Sequence, residues 1–350
     1  MLRKILTSSI VMTICGIGYA QDSSKVSSFK LSGSADVYYR YNFNNPKTPL
    51  YNNFTSFTNS QNSFELGMAS LKAEHSIGKV SMVADLGFGR RADEFSYNDQ
   101  NSRVAIKQLY LSYAPSANAK FTMGSWATHV GYELVDAYLN RNYSMSYMFS
   151  YGPFFHTGLK GDFALGGKTT LMVGVVNPTD LKTASTLPKM VVAQLATASK
   201  NDKFKAYLNY LGGNSTDSAR LNQADVVLTY AITDKFSLGY NGTVQSRSAK
   251  TNQKWNESNS WWGSALYANV DPTAWFGLTL RAEYLSDKKN VLGFDSKIFE
   301  STLSANFKID NLTIIPELRL DNASNEIFTK SNGSTTKSTV TGVLAAVYHF

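Results

Sequence analysis

Apolar and polar residues alternate along most of this chain with a period of two. In the first such segment the apolar residues Phe29, Leu31 and Val37 share one phase, whereas the charged residues Asp36 and Arg40 fall on the other phase. The same alternation recurs in later segments as far as the end of the chain. Successive side chains of a strand point to opposite faces, so this period predicts strands with one consistently apolar face.

Sixteen segments follow this pattern, and most are about ten or more residues long. A tilted strand of that length can cross the apolar core of a bilayer. The predicted strands are 29–43, 64–76, 79–91, 104–114, 120–128, 153–165, 168–177, 189–199, 203–212, 222–233, 235–247, 259–270, 275–286, 297–308, 311–321 and 339–350.

The connections between these segments alternate between short and long. Seven are short turns and eight are longer and polar. The long connections are 44–63, 92–103, 129–152, 178–188, 213–221, 248–258, 287–296 and 322–338. An even number of strands, with short turns on the periplasmic side and long loops outside, is typical of outer-membrane barrels. We therefore predict an all-β fold, a transmembrane antiparallel β-barrel of about 16 strands.

The N-terminal 20 residues are typical of a signal peptide. Arg3 and Lys4 precede an apolar stretch, and Ala20 provides a small-residue cleavage site. We expect Sec-type export, and a mature chain, 21–350, that is a single barrel domain. Removal of this segment would lower the formal net charge from +8 to +6 and remove Cys15, the single cysteine. Disulfides and cysteine-ligated metals would then be excluded, and so mild a charge does not indicate nucleic-acid binding.

The last predicted strand ends on Phe350. In a closed barrel the final strand pairs with the first, which leaves no exposed edge. We expect this strand to close the barrel and to present Phe350 to the barrel-assembly machinery.

A secreted β-sandwich also alternates with period two, but its strands are usually shorter and its connections less regular. Pro316 interrupts a predicted strand in either fold, because proline lacks the N–H that a ladder needs. We expect a local bulge there. The regular alternation of short and long connections favours the barrel.

Three stretches near the middle of the chain resemble a known family. They are Gly124–Glu133 (GSWATHVGYE), Asn140–Tyr147 (NRNYSMSY) and Gly152–Gly158 (GPFFHTG). The chain resembles the OmpL-like "beta-barrel porin-2" family of Bacteroidetes outer membranes. The resemblance implies an outer-membrane channel, and it carries over no catalytic residue.

With the apolar face in lipid, the opposite face lines the lumen. Charged residues there predict a water-filled interior, because charges facing a dry core are costly. The candidate wall residues are Arg40, Lys72, Arg91, Lys160, Arg281, Glu283, Glu300, Glu317 and Arg319. Those on the three strands from 275 to 321 predict a cross-strand charge ladder that stiffens the wall.

The longest connection, 129–152, is a candidate to fold into the lumen and narrow it. Aromatic side chains would pack it against the wall, and its charges would set the local field. The candidate constriction residues are Tyr132, Glu133, Asp136, Tyr138, Arg141, Tyr143 and Tyr147. The alternative is an external cap whose tyrosines belong to the interfacial aromatic girdle.

Two other function classes stay open. A barrel hydrolase with a rim active site would use His129 or His156 with nearby serines or Asp136, although no spacing is diagnostic. An adhesin or structural barrel would expose loops 44–63 and 322–338. Asp93, Glu94 and Asp99 match no closed calcium loop, so we predict neither a metal nor a cofactor.

These patterns together favour a non-enzymatic porin for passive diffusion of small hydrophilic solutes or ions. We expect it in the outer membrane of a Gram-negative bacterium, in contact with outer-membrane lipid and lipopolysaccharide, with a homo-oligomer left open.

Overall fold

A computed structural model describes residues 27–350, so the predicted signal peptide, 1–20, lies outside the described residues. Strands alternate with a few short helical turns. The strands are β1 (Ser27–Asn42), β2 (Ser63–Ile77), β3 (Val80–Phe88), β4 (Ile106–Ser116), β5 (Ala119–Ala127), β6 (Phe155–Gly166), β7 (Thr169–Val176), β8 (Met190–Ala198), β9 (Phe204–Thr216), β10 (Ala219–Ala231), β11 (Phe236–Thr251), β12 (Lys254–Trp255), β13 (Asn259–Val270), β14 (Phe276–Ser286), β15 (Lys297–Ile309), β16 (Leu312–Ala323), β17 (Phe328–Thr329), β18 (Thr335–Thr336) and β19 (Ser338–His349). The helices are α1 (Arg90–Phe95) and α2 (Tyr147–Tyr151), with 3₁₀ turns at Asn101–Ala105 and Ala137–Leu139.

Sixteen of these strands form one closed antiparallel barrel, which confirms the predicted fold. Each barrel strand pairs with the next, and β19 pairs with β1 in the register Ala35↔Tyr348. Phe350 completes the seam, since it exchanges backbone hydrogen bonds with Gly33 at 3.1 and 2.9 Å. The three two-residue strands, β12, β17 and β18, lie in the connections. Closure satisfies the backbone groups that an open edge would expose.

The outward face carries the apolar side chains that the alternation predicted. Leu31, Leu111, Leu208 and Leu266 are among many exposed aliphatic residues on this face. Aromatic contacts occur near both ends of the barrel. Pairs near the long-loop end include Tyr39–Phe64 and Trp262–Tyr284, and pairs near the short-turn end include Phe121–Phe163 and Phe276–Phe307. An apolar band between aromatic girdles is the surface that a bilayer requires.

The predicted strand 79–91 is too long, and this changes the position of Arg91. The strand ends at Phe88, Gly89 has φ 112°, and Arg91 then lies in α1. A Cβ atom at position 89 would lie 2.7 Å from the carbonyl oxygen of Gly67, so the close approach and the positive φ both require glycine. Arg91 therefore belongs to a loop helix rather than to the strand wall.

Two predicted long loops, 213–221 and 248–258, are mostly strand. β9 runs to Thr216 and β10 starts at Ala219, while β11 continues to Thr251. These hairpins extend past the apolar band, where both faces of a strand can be polar. The period-two alternation of apolar and polar residues is lost there, and its loss predicts a loop although the backbone is still paired.

The expected bulge at Pro316 is also absent from the described ladder. β15 and β16 keep one register on both sides of it, from Ser304↔Glu317 to Phe307↔Ile314, while Ala305 and Asn306 lack a ladder partner. Pro316 is therefore accommodated by a gap in hydrogen bonding rather than by an inserted residue.

The first loop, between β1 and β2, folds into the barrel instead of standing outside it. Phe57, Thr58 and Ser60 are at most 3% exposed. Arg40 of β1 holds this loop by donating to the carbonyl oxygens of Tyr51 and Ser60. An adhesin barrel would expose loop 44–63, but residues 57–60 of this loop are largely buried in the interior.

Within residues 27–350, no helix is long and apolar enough to cross a membrane.

Candidate functional site

The third loop, residues 129–152, lies inside the barrel and crosses its lumen. Near its start the Gly131 N–H donates to Asp225 of β10, 3.1 Å away. Ten residues later Arg141 reaches Asp271, in the short turn after β13. The loop then returns through α2 to β6. It therefore extends from the long-loop end of the barrel to the short-turn end and back.

Two wall carboxylates hold the backbone of the third loop. Glu317 accepts from the N–H groups of Tyr143 (2.7 Å) and Ser144 (3.1 Å). Glu283 accepts from those of Tyr147 and Met148, both at 2.7 Å. A carboxylate that accepts two successive N–H groups fixes the path of a chain, and hydrogen bonds to charged groups are stronger than neutral ones.

Two wall arginines bind the carbonyl groups of the same segment. Arg281 donates to the oxygen of Ser144 at 2.7 Å, and Arg319 donates to that of Met145 at 2.7 Å. Arg281 also pairs with Glu300 at 3.0 Å, and Glu300 lies 4.0 Å from Arg319. The predicted charge ladder across these strands is therefore present, and it supports the third loop as well as the wall.

The three charged residues predicted in the third loop each have an ion-pair partner. Glu133 accepts from Arg281 at 2.7 Å, and Asp136 accepts from Lys107 of β4. Arg141 binds Asp271 with both terminal nitrogens. These pairs attach the loop to separate parts of the wall.

The tyrosines of the third loop pack against wall residues. Tyr132 stacks on Tyr267 with ring centroids 4.0 Å apart, and Tyr138 stacks on His349 at 5.1 Å. The other two predicted constriction tyrosines donate from their hydroxyl groups to wall carboxylates: Tyr143 to Asp36 at 2.6 Å and Tyr147 to Asp321 at 2.9 Å.

The other predicted wall residues do not meet in one place. Arg91 of α1 is fully buried, 3.8 Å from Asp36 and above the ring of Tyr143. Lys72 pairs with Glu74 and Lys160 pairs with Asp162, at 3.0 and 3.6 Å. The Lys72–Glu74 pair lies towards the short-turn end, whereas the Lys160–Asp162 pair lies near the middle of β6. Lys72 therefore forms its ion pair within the wall and not with the third loop.

The interior is driest at mid-height. Arg281, Glu283 and Glu300 are 0% exposed beneath the third loop. A cluster of inward-facing apolar residues, including Trp126, Met172 and Leu211, is buried on the other side of the barrel. Polar residues such as Lys72 and Glu74 keep 29% and 34% of their side chains exposed nearer the short turns. The third loop and this apolar cluster thus narrow the barrel between its two ends.

A cavity of about 440 Å³ opens on the long-loop side of this narrow region. Its lining includes Tyr97, Tyr151, Phe154, Asp180 and Arg247. Asp180 accepts from the N–H groups of Phe154 (2.7 Å) and Phe155 (3.0 Å) and from the hydroxyl of Tyr97 (3.1 Å). Burial raises the pKa of this carboxyl to about 7, although these hydrogen bonds oppose the shift.

The two candidate histidines lie side by side in the interior, with ring centroids 5.0 Å apart. His129 Nε2 is 3.0 Å from the carbonyl oxygen of Tyr210, and His156 Nε2 is 3.1 Å from the hydroxyl of Thr128. Neither contact joins histidine to serine or to a carboxylate, as a hydrolase dyad would require. Among residues 27–350 no cluster of three or more potential metal ligands is found.

Sequence patterns missed several partners in this site. Asp36, Lys107 and Asp321 bind the third loop, and Asp180 joins three outer segments. For Asp36 and Asp321 the alternation of apolar and polar residues does indicate that the side chain faces the lumen. Asp180 lies in a loop, and no periodicity could have singled it out.

A closed sixteen-stranded barrel with an apolar outer band and an inward-folded third loop defines an outer-membrane porin. Residues 28–350 match the family model described as "Putative beta-barrel porin-2, OmpL-like", and the chain belongs to that family. No protein among curated sequences matches it significantly.

Solved structures of outer-membrane proteins share the fold at low sequence identity. The channel DcaP of Acinetobacter baumannii is 13% identical, with a TM-score of 0.62 over 93% of this chain and 97% of that one. An anion-selective porin from Comamonas acidovorans is 11% identical, with a TM-score of 0.61 over 93% and 100%. The trimer form of OmpT from Vibrio cholerae is 9% identical, with a TM-score of 0.61 over 93% and 100%.

Proposed function

We propose that this porin passes small hydrophilic solutes or ions by passive diffusion, and that its third loop sets the narrowest part of the path. The observation that carries this is the attachment of the loop to both Glu283 and Glu317 across the lumen. A pore's size limit and field are fixed by the groups at its narrowest section.

The charges of the loop contribute as paired groups. Glu133, Asp136 and Arg141 each have a partner, so their field is that of local dipoles rather than of free charges. Ion preference is then expected to be weak. The formal charge of +6 after removal of Arg3 and Lys4 favours anions, and one structural neighbour is described as anion-selective.

The direct test is the single-channel conductance of the refolded chain in a planar bilayer. Deletion of residues 132–147 is expected to raise conductance several-fold, because it removes the segment that crosses the lumen. A matched control shortens the outer hairpin around β12, which lies beyond the narrow region. Equal conductance of the wild type and the 132–147 deletion, with both proteins folded, would contradict the constriction role.

Location and assembly extend this proposal. Residues 1–20 would direct export in a Gram-negative bacterium of the Bacteroidetes, and Phe350 at the barrel seam would be presented to the barrel-assembly machinery. The apolar band would contact outer-membrane lipid and lipopolysaccharide. A homo-oligomer is supported by the trimeric OmpT neighbour. Cross-linking in native membranes tests this last point.

A further inference from the structure

The outer cavity contains one arginine whose charge is not neutralised. Arg247, on the inward face of β11, is exposed and forms no ion pair among residues 27–350. By contrast Arg91, Arg141, Arg281 and Arg319 each have a carboxylate within 4.0 Å. The charge of Asp287 also acts on Arg247, but Asp287 accepts from the N–H groups of Val291, Leu292 and Phe294 and is not within ion-pair distance of Arg247. The guanidinium group of Arg247 can therefore bind the carboxylate of a solute.

A buried polar network fixes the position of Arg247. Its Nε donates to Gln245 Oε1 at 2.6 Å. The same oxygen accepts from the indole N–H of Trp261 at 3.1 Å, and the Gln245 amide donates to Gln223 at 2.9 Å. Gln245, Gln223 and Trp261 are at most 2% exposed. The terminal nitrogens of Arg247 have no hydrogen-bond partner in the described chain, so the network orients the guanidinium group while leaving its fork open.

The acidic groups of the cavity are already engaged. Glu94 accepts from the N–H of Phe57 at 2.7 Å and from Asn59, and it lies 3.5 Å from Arg90. Asp180 is occupied by two backbone N–H groups and the Tyr97 hydroxyl. Glu94 would repel a doubly charged ligand more strongly than a singly charged one, and so would Asp180 above its pKa of about 7, which favours a monoanion.

Tyr97, Tyr151 and Phe154 give the cavity an aromatic part of its wall, beside polar groups such as Ser150 and Thr179. The rings of Tyr97 and Phe154 meet edge to face at 6.1 Å, and Tyr151 meets Phe294 in the same way at 5.3 Å. A cavity of about 440 Å³ falls in the range of small-molecule sites.

We propose that this cavity binds small organic acids, with Arg247 holding the carboxylate through its fork and the aromatic residues contacting a ring-bearing body. Guanidinium and carboxylate match in planar two-bond geometry, which a lysine cannot reproduce. This inference rests on the proposed function, since it names the solute class that the outer cavity concentrates before the narrow region.

The test is a fluorine NMR titration of 4-fluorobenzoate with the refolded protein in detergent micelles, with 4-fluorobenzamide as the uncharged probe. We expect line broadening with the acid and much less with the amide. R247Q should weaken binding of the acid about tenfold or more, and R247K should weaken it less, because charge is kept but the fork is lost. R220Q is the matched control, since Arg220 is exposed on the neighbouring hairpin and stacks on Trp255.

Equal broadening by both probes, or unchanged binding in R247Q with normal heat-modifiable migration, would overturn the site. Bilayer recordings of the same preparations separate the two proposals. A chain that conducts without binding the acid refutes only this site. A chain that binds the acid but never conducts refutes the channel and leaves the site standing.

Discussion

Arg141 and Asp271 form a two-pronged ion pair, with Nη1–Oδ2 and Nη2–Oδ1 distances of 2.9 Å. Arg141 is in the middle of the third loop, and Asp271 follows β13 in a short turn. Asp271 also accepts from Lys308 at 3.0 Å. One carboxylate therefore joins the inward loop to the far end of the barrel and to the next hairpin.

The asymmetry of this contact predicts unequal effects of its two halves. D271N breaks two ion pairs, those of Asp271 with Arg141 and with Lys308, whereas R141Q breaks only the first. The side chains are 14% and 28% exposed, so each loss is expected to cost about 1 kcal/mol or less. We expect noisier open-channel current in both variants and more in D271N. Equal noise in the two variants would contradict this order.

Stability should also depend on pH through Asp271. Burial raises the pKa of this carboxyl, but hydrogen bonds and charge from Arg141 and Lys308 outweigh burial and hold the pKa below its ordinary value. A depressed folded pKa contributes stability above the unfolded pKa, about 3.9, and that stability is lost as pH falls through the folded pKa. Urea unfolding between pH 5 and pH 2 measures this, and D271N should have a flatter profile.

Removing the Glu317 carboxylate should release the third loop. This group accepts from Tyr143, Ser144 and the hydroxyl of Ser304 at 2.7 Å. E317A leaves these buried donors without an acceptor, at a cost of about 3 kcal/mol, while E317Q keeps one acceptor oxygen and should lose less. Urea unfolding and conductance report the two effects. E257A, in an exposed outer segment, is the control and should change neither.

Gly67 is predicted to be intolerant of alanine. It lies opposite Asp36 in a bulge of the β1–β2 ladder. A Cβ atom there would overlap the Asp36 carboxylate and lie 2.9 Å from the Tyr143 hydroxyl. We expect G67A to lose about 2 kcal/mol and to weaken loop docking. G342A, whose nearest contact is Phe43 at 3.5 Å, should be tolerated; similar losses in both would mean that glycine flexibility, not the overlap, matters.

Docking of the outer segments should be stronger at acidic pH because of Asp180. Its folded pKa, raised to about 7 mainly by burial, lies above the unfolded value of about 3.9. The folded state therefore binds more protons between these values, and stability falls as pH rises from about 4 to 7. Amide hydrogen exchange at Phe154 and Phe155, corrected for intrinsic rates, should accelerate up to tenfold per pH unit in that window. D180N keeps an acceptor without the ionisation and should remove the dependence.

Many of the inward-facing wall residues could be predicted from the sequence, but the loop residues that they bind could not. Arg281, Glu300 and Arg319 were placed on one inward face by alternation, and they do form a ladder. The alternation also predicts Arg91 on this wall, but β3 ends at Phe88 and the turn at Gly89 places Arg91 in α1. Periodicity reports the phase of a strand but not the residue where pairing stops.

The sequence by itself determined the strand number, the phase of nearly every strand and the closure by the last strand, because lipid on one side enforces a strict period of two. Tertiary structure decided what fills the barrel. The third and first loops have no repeating pattern, and their positions depend on single contacts such as Tyr143 with Asp36 and Arg40 with Ser60. Such contacts join residues far apart in the chain, and only the closed barrel brings them within hydrogen-bonding distance.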